Sequence, residues 1–224
     1  MKPIRIILRT ISLSLVFFLI LFISAGRINY WQGWLYVSMN ILMTLMTVYA
    51  SRGKKELTQE RFKPGQGIKS WDKILLGLSS LVYFIMLIVA GLDSGRYNWS
   101  PNLSPVWYLA GVILTLAGHT VFLLAKHQNK FFSTVVRIQT ERGHTVCDTG
   151  LYKIVRHPGY FGMVIANIGF PLLLGSLFTI IPVIVTLVLL VIRTQLEDKT
   201  LINELTGYSE YTHKTPYKLI PKIW

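Results

Sequence analysis

Long uncharged stretches divide this 224-residue chain, and charged residues cluster between them. The uncharged stretches cover residues 10–26, 28–51, 74–92, 97–125 and 157–192. A bilayer core about 30 Å thick requires roughly 20 apolar residues of a spanning helix. The first four stretches therefore predict four spanning helices, over residues 4–25, 34–50, 73–92 and 106–125. This spacing predicts an all-α fold, a polytopic transmembrane helical bundle.

The last uncharged stretch predicts a helical hairpin. It runs from Gly159 to Ile192, which is too long for one ordinary span, and Pro171, Gly175 and Pro182 interrupt it. Two helices of about 16 residues, each roughly 24 Å long at 1.5 Å per residue, would meet near Gly175. Such a hairpin returns the chain to the membrane face that it left.

The distribution of charge adds an orientation. The net charge is +13, yet 21 of the 23 Lys and Arg residues fall on one side if the N-terminus is cytoplasmic, with only Arg27 and Arg96 outside. This positive-inside bias places both termini and the polar connections in the cytoplasm. A second interpretation of the charge is that this basic face attracts anionic lipid head groups, and no nucleic acid is needed to explain it. The single Cys147 excludes a cysteine-based metal cluster, and we expect no metal.

Two polar clusters flank the hairpin, residues 150–160 before it and Arg193 with Glu197 after it. Pro158 suits the first turn of a helix, whose free backbone N–H groups would form an anion site just beyond His157. Arg193 and Glu197 are four residues apart and share one helix face. The hairpin therefore brings an anion site, a carboxylate and a planar cation together at the edge of an apolar region.

The order of motifs within residues 129–221 is specific. It reads Gly-x-Tyr-x-x-x-Arg-His-Pro-x-Tyr, an apolar hairpin, Arg-x-x-x-Glu, and a tail with Tyr208, Tyr211 and Leu-Ile-Pro. In this order the motifs resemble the isoprenylcysteine carboxyl methyltransferase family, whose broader group includes membrane phospholipid N-methyltransferases. The resemblance implies methyl transfer from S-adenosyl-L-methionine to a lipophilic or lipidated acceptor, first of all the carboxylate of an isoprenylcysteine-like substrate.

The resemblance also implies roles for single residues. Glu197 would bind hydroxyl or amino groups of the cofactor, and Arg193 would act in catalysis by holding the substrate carboxylate. The other implied cofactor-binding residues are His144, Thr145, Val146, Cys147, Tyr152, His157, Pro158, Gly159 and Tyr160. The family often has a glutamine after a Val-Val pair; Arg137 stands there in this chain, and whether Arg137 or Gln139 takes its place stays open.

The implied organisation is one integral membrane methyltransferase domain over residues 1–224. Residues 1–125 would supply N-terminal transmembrane helices, and residues 126–224 the cofactor-binding region with the hairpin at 159–192. Phospholipid N-methylation and small-thiol S-methylation are close variants of the function. A membrane sterol-type reductase, which has a similar aromatic and Ile-Pro ending but needs a nicotinamide site, is an alternative of another class, and a non-enzymatic scaffold is a third.

Simpler interpretations exist for the charged residues. Arg156 and Arg193 could be flanking cations whose stems lie along the apolar surface while their head groups reach water. Glu197 could pair with Arg193 across one helical turn, an interaction worth a few tenths of a kcal/mol.

Overall fold

The computed structural model describes residues 3–224, and the side chains of all of these except residues 3–11, 13 and 55. Every regular element within this range is helical, and no strand occurs in it. The α-helices are α1 (Pro3–Ala25), α2 (Trp31–Ala50), α3 (Lys55–Phe62), α4 (Ser70–Ala90), α5 (Pro105–Gln128), α6 (Pro158–Leu174), α7 (Ile180–Glu204) and α8 (Tyr208–Lys214). The predicted all-α fold is confirmed.

Four helical segments of the described chain are long and apolar enough to cross a membrane. They are Trp31–Ala50, Ser70–Tyr97, Pro105–Gln128 and Leu177–Glu204. The predicted span over 4–25 falls partly on residues whose side chains are not described, and its described part, Ser14–Ala25, is a shorter apolar helix. The predicted bundle of membrane-spanning helices is confirmed, with α7 among the four spans.

The hairpin is present, but its two helices are unequal. α6 has 17 residues and ends at Leu174; the next residue, Gly175, has a φ of 62°, the left-handed conformation that glycine adopts readily. α7 has 25 residues, because the polar sequence after Ile192 continues the same helix. Neither proline ends a helix as expected. Pro171 lies inside α6, and Pro182 lies in the first turn of α7, where a backbone N–H has no intrahelical partner.

α5 and α6 are antiparallel and lie backbone to backbone. Four glycines line the contact: Gly111 and Gly118 on α5, Gly162 and Gly169 on α6. A methyl group added at Gly162 would lie 2.5 Å from the carbonyl oxygen of Gly118, and one at Gly169 would lie 2.8 Å from that of Gly111. Small residues permit this close approach of membrane helices. The contact holds the end of α5 beside the start of α6.

Two segments differ from the expected boundaries. The connection after α2 contains the short helix α3, where only a polar loop was expected. α4 continues as a π-helix from Gly91 to Tyr97, five residues beyond the predicted end. There the buried Asp93 accepts hydrogen bonds from the Ser100 hydroxyl and the Ser176 hydroxyl, each 2.6 Å long, which joins α4 to the turn of the hairpin.

Candidate active site

One cleft gathers most of the expected site residues at the end of the bundle opposite that turn. The residues between α5 and α6, the start of α6 and the ends of α7 and α8 form its walls. Ten of the eleven residues implied by the resemblance line it. The exception is Pro158, which is buried as the first residue of α6 and does not reach the lining. The roles assigned to these residues stay predictions.

The cleft combines apolar and ionic walls. The space between them is about 810 Å³, including its open mouth. Aromatic and aliphatic side chains make one part of the lining: Phe131, Phe132, Tyr152, Leu201 and Leu205. The side chains of His157, Arg193 and Glu197 make another part.

Asp198 is a buried acceptor beneath the cleft. Its carboxylate receives two hydrogen bonds from Arg156, of 2.8 and 2.9 Å, and a third of 3.0 Å from the Tyr208 hydroxyl. The Nε2 atom of His157 lies 3.3 Å from the same carboxylate. The interpretation of Arg156 as a water-seeking flanking cation is therefore wrong, because its side chain is only 5% exposed and fully paired.

The C-terminal tail is held against this cluster. The backbone N–H groups of Arg156 and His157 donate to the carbonyl oxygens of Tyr217 and Lys218, each at 2.9 Å. The Arg156 guanidinium also donates to the carbonyl oxygen of Thr215 at 2.8 Å. The tail thus fixes the backbone of the residues just before α6.

Glu197 faces the cleft from α7. The Tyr160 hydroxyl donates to its Oε2 atom, and the Tyr160 ring stacks on His157 with centroids 5.7 Å apart. Its Oε1 atom accepts no hydrogen bond from a described residue. The alternative in which Glu197 pairs with Arg193 is wrong, because no hydrogen bond or ion pair joins the two side chains; Arg193 pairs with Asp72 and Glu197 accepts from Tyr160.

Arg193 is bound to Asp72, at the start of α4. Its Nε donates to Asp72 Oδ1 at 2.8 Å, and its Nη2 donates to the carbonyl oxygen of Thr134 at 2.8 Å. Asp72 is fully buried and also accepts from the backbone N–H of Val136 at 2.7 Å. Arg193 is therefore no free flanking cation. Its Nη1 atom donates to none of the described residues.

Arg137 and Gln139 both line the cleft, and both are held by the loop around them. Arg137 donates to Glu60 at 2.9 and 2.8 Å and to Glu141 at 2.5 Å. Hydrogen bonds to these two carboxylates, Glu60 foremost, raise the pKa of Arg137. Gln139 donates through Nε2 to the carbonyl oxygen of Phe131 at 2.7 Å. Both residues thus shape the wall of the cleft.

The segment 144–147 passes along the cleft outside any helix. The backbone N–H groups of Thr145, Val146 and Cys147 donate to no described carbonyl oxygen. His144 Nδ1 accepts from the backbone N–H of Gln139 at 3.2 Å. Burial, with the charges of Arg137 and Arg142, lowers the pKa of His144 to about 4, so its ring is neutral at pH 7.

Two further observations bear on the chemistry of the lining. Burial raises the pKa of the Cys147 thiol, which disfavours the reactive thiolate. Among the described side chains, no group of three or more His, Cys, Asp or Glu residues is placed to hold a metal ion.

Comparison with known proteins bears directly on this region. Residues 106–203 match the model of the isoprenylcysteine carboxyl methyltransferase (ICMT) family. The expected resemblance is confirmed. The ICMT match begins in α5 and ends in α7, so it includes the loop, the hairpin and most of the cleft. Asp72, Tyr208 and Tyr211 lie outside it.

Individual relatives agree with the ICMT match over shorter segments. Two rice proteins, from Oryza sativa subsp. indica and subsp. japonica, are each named probable protein-S-isoprenylcysteine O-methyltransferase. Each is 32% identical over 72 residues, which is 31% of this chain and 38% of the relative. A Delta(14)-sterol reductase from Methylotuvimicrobium alcaliphilum is 26% identical over 134 residues, 54% of this chain and 31% of the relative. The chain therefore spans well under half the length of these relatives.

Nothing in the sequence indicated the contact between Asp72 and Arg193. An acidic residue in the first turn of any helix interacts favourably with the helix dipole, so the position of Asp72 in α4 does not by itself suggest a further partner. Its partner Arg193 is 121 residues away. Tyr208 and Tyr211 were noted as part of the tail motif, and the structure shows both in the lining of the cleft.

Proposed function

We propose that this chain is an S-adenosyl-L-methionine-dependent membrane methyltransferase that acts on a lipophilic carboxylate of the isoprenylcysteine type. The observation that carries the proposal is the convergence of the ICMT motif residues on one cleft at the end of the membrane hairpin. The names of the rice relatives support the choice of acceptor.

The groups in the cleft fit this cofactor. The free backbone N–H groups of residues 145–147 suit an adenine edge, and the Tyr152 and Phe131 side chains supply apolar faces beside them. The open Oε1 atom of Glu197 suits hydroxyl or ammonium groups. The start of α6, with His157 ahead of it, suits a carboxylate, because N–H groups at a helix N-terminus attract anions.

The chemistry needs placement more than it needs proton transfer. When bound, S-adenosyl-L-methionine would supply a methyl group on a sulfonium, and a carboxylate oxygen would take that methyl while the carbon–sulfur electron pair stays with sulfur. An ionised acceptor has no proton to lose, so the chain needs no general base. Its side chains contribute alignment and the exclusion of water from the nucleophile.

Arg193 is placed to help with this alignment. Asp72 and Thr134 hold one edge of its guanidinium, which leaves Nη1 for a ligand. The N–H groups of Nη1 can donate to one oxygen of a carboxylate, and the charge of the guanidinium attracts the anion. We expect Asp72 to act as a positioning residue that keeps Arg193 in place.

Cofactor binding tests the proposal first. Calorimetry should show that purified protein in nanodiscs binds S-adenosylhomocysteine and not NADPH. Radiolabelled methyl groups should then appear in carboxylate lipids as base-labile esters, and not in matched amine or thiol lipids. Absence of S-adenosylhomocysteine binding would overturn the proposal. Label in an amine or thiol lipid would support the phospholipid or small-thiol variant instead.

A sterol-type reductase is the second candidate, because the match to the Delta(14)-sterol reductase covers more of this chain than the rice matches do. A reductase requires a hydride donor. The same calorimetry discriminates the two functions, since NADPH binding without S-adenosylhomocysteine binding would favour the reductase.

We also propose that both termini and the cleft face the cytoplasm. The charge distribution supports this orientation, and Arg27 and Arg96 both contact residues at the end of the bundle away from the cleft. A cysteine introduced at Lys222 in a Cys147→Ser background should react with a membrane-impermeant maleimide only after the membrane is opened. Reaction in sealed cells would place the tail outside and overturn the orientation.

A further inference from the structure

Arg61, in the last turn of α3, is a half-buried cation that forms no ion pair with a described residue. Two buried carboxylates, those of the adjacent Glu60 and of Asp72, already have partners. Glu60 is bound to Arg137 by two hydrogen bonds of 2.9 and 2.8 Å. Asp72 is bound to Arg193. The charge of Arg61 is therefore not neutralised within the described chain.

Aromatic rings contact Arg61 in place of a carboxylate. Its Cζ atom lies 5.7 Å from the centroid of Phe122 and 5.4 Å from that of Phe132. A ring attracts a guanidinium through its face but leaves the N–H groups free to bind an anion. Burial, with the charge of Arg193, lowers the pKa of Arg61 to about 10, as expected for a cation that lacks a counter-ion.

Two more cations lie beside Arg61. Lys126 stands four residues after Phe122 on α5, and so shares the helix face that the Arg61 guanidinium contacts. Arg193 and Arg61 both contact Thr134: Arg193 donates to its carbonyl oxygen at 2.8 Å, and the Thr134 hydroxyl donates to the Arg61 carbonyl oxygen at 3.2 Å. The buried Lys126 ammonium donates to the Ser51 hydroxyl at 2.6 Å and to no described carboxylate. Of these three cations, only Arg193 has a carboxylate partner in the described chain.

The cluster lies at the rim between the cleft and the membrane helices. The Phe132 ring lines the cleft and packs on Gly159, where an added methyl group would lie 2.8 Å from the ring. Phe122 belongs to α5, one of the membrane spans. Arg61 contacts both rings, so an anion bound by it would sit between the cofactor region and the apolar bundle.

We propose that Arg61, assisted by Lys126, binds the carboxylate of the lipophilic acceptor at this rim and presents it to Arg193. The inference rests on the proposed function and adds a specificity residue to it. Arg61 lies outside residues 106–203, so the ICMT match does not assign it. A lipid that ends in a carboxylate has the matching chemistry, because its chain suits the phenylalanine rings and its anion suits an unpaired guanidinium fork.

Steady-state methyl transfer in nanodiscs tests this role, with a prenylated cysteine that carries a free carboxylate as the acceptor. Arg61→Ala should raise KM for this acceptor at least tenfold, while the affinity for S-adenosylhomocysteine stays within twofold. Arg61→Lys should recover part of the loss, since it keeps the charge without the fork. Lys126→Met should raise KM by a smaller factor.

Arg52→Ala is the matched control. Arg52 also lies over an aromatic ring, Tyr49 at 5.2 Å, in the same connection between α2 and α4, but it is exposed. The Arg52→Ala variant should have the same KM for the acceptor as the unmodified protein. An amine analogue should compete better against the carboxylate acceptor in the Arg61→Ala variant than in the unmodified protein, because only the carboxylate loses a contact with Arg61.

The outcomes separate this inference from the proposed function. An unchanged KM in an Arg61→Ala variant that binds S-adenosylhomocysteine overturns the role of Arg61 and leaves the methyltransferase proposal standing. If Arg61→Ala does not fold, unchanged KM in both Arg61→Lys and Lys126→Met overturns it equally. If the unmodified protein does not bind S-adenosylhomocysteine, the proposed function itself is overturned.

Discussion

The guanidinium of Arg156 and the carboxylate of Asp198 form two parallel hydrogen bonds between residues 42 positions apart. The pair joins the segment just before α6 to the last turns of α7. Arg156 also holds the tail through the carbonyl oxygens of Thr215 and Pro216, each at 2.8 Å. One arginine therefore connects three segments that border the cleft.

Loss of this pair should be costly. Asp198→Asn removes the charge and leaves a buried guanidinium without a counter-ion, which typically costs about 3–5 kcal/mol. The Lys69–Glu204 pair is the control, because its side chains are 28% and 42% exposed, and Glu204→Gln should cost less than about 1 kcal/mol. Denaturant unfolding in detergent measures both changes. Equal losses of stability would contradict the importance of the buried pair.

Substitutions of Glu197 and of Arg193 should impair different steps, cofactor binding and turnover respectively. Glu197→Gln should impair cofactor binding, because the amide offers one acceptor oxygen and no charge. Arg193→Ala should leave cofactor affinity nearly intact and abolish turnover, and Arg193→Lys should rescue poorly for lack of the planar fork. Asp72→Asn should lower kcat by loosening Arg193. Cofactor affinity and methyl-transfer rate are measured for each variant; equal loss of affinity in Glu197→Gln and Arg193→Ala would refute the division of roles.

His157 should contribute to cofactor affinity. His157→Ala should weaken binding of S-adenosylhomocysteine about tenfold or more, on the order of 1.4 kcal/mol. His213→Ala, at an exposed position of α8, is the control and should not change the affinity. Calorimetry measures both. Unchanged affinity in a folded His157→Ala variant would reduce His157 to a structural contact of Asp198.

The glycine contact between α5 and α6 should not tolerate a larger side chain. Gly162→Ala places a methyl group 2.5 Å from the Gly118 carbonyl oxygen, and overpacking of this kind costs about 1–3 kcal/mol. Gly77→Ala in α4 is the control, since nothing lies within 4 Å of its added methyl group. Gly77→Ala should keep or raise the melting temperature in detergent, and Gly162→Ala should lower it. A fall of the same size in both variants would count against the close contact.

His144 should make stability depend on pH. Its pKa is about 4 in the folded chain, below the ordinary value of 6.5, so the unfolded chain binds the proton more readily. The contribution of the neutral ring is fully present above about pH 6.5 and is lost as pH falls toward 4. His144→Asn keeps an acceptor for the Gln139 N–H without this titration. Its melting temperature should fall less than that of the unmodified protein over this range, and parallel falls would contradict the assignment.

Much of the fold could be predicted because hydropathy is a local property. The hairpin followed from the length of the uncharged stretch and its interruption at Gly175, and the start of α6 followed from Pro158. The helical spacing of Arg193 and Glu197 agrees with α7, which continues beyond the apolar residues to Glu204 and is therefore longer than the half-hairpin of about 16 residues. α3 was missed because its eight residues carry no apolar periodicity.

The sequence indicated which residues line the cleft, but not which of them contact one another. Motif order identified residues of its lining, including Glu197 and Tyr160, without showing that these two bond to each other. The pairing of Arg193 with Asp72 depends on how α7 packs against α4. That Arg61 has no carboxylate partner among the described residues depends on where the neighbouring acidic side chains lie. Such facts follow from three-dimensional packing and have no signature in residue spacing.

The glycine contact has a consequence for ligand affinity. It holds the two ends of the loop of residues 129–157 side by side, and closing a loop of this length costs about 3 kcal/mol in chain entropy. That cost is met when α5 and α6 pack, before any ligand arrives. The loop is therefore closed before a ligand enters the cleft. Binding does not have to bring the two ends of the loop together, so the ligand's affinity is not reduced by that entropy cost.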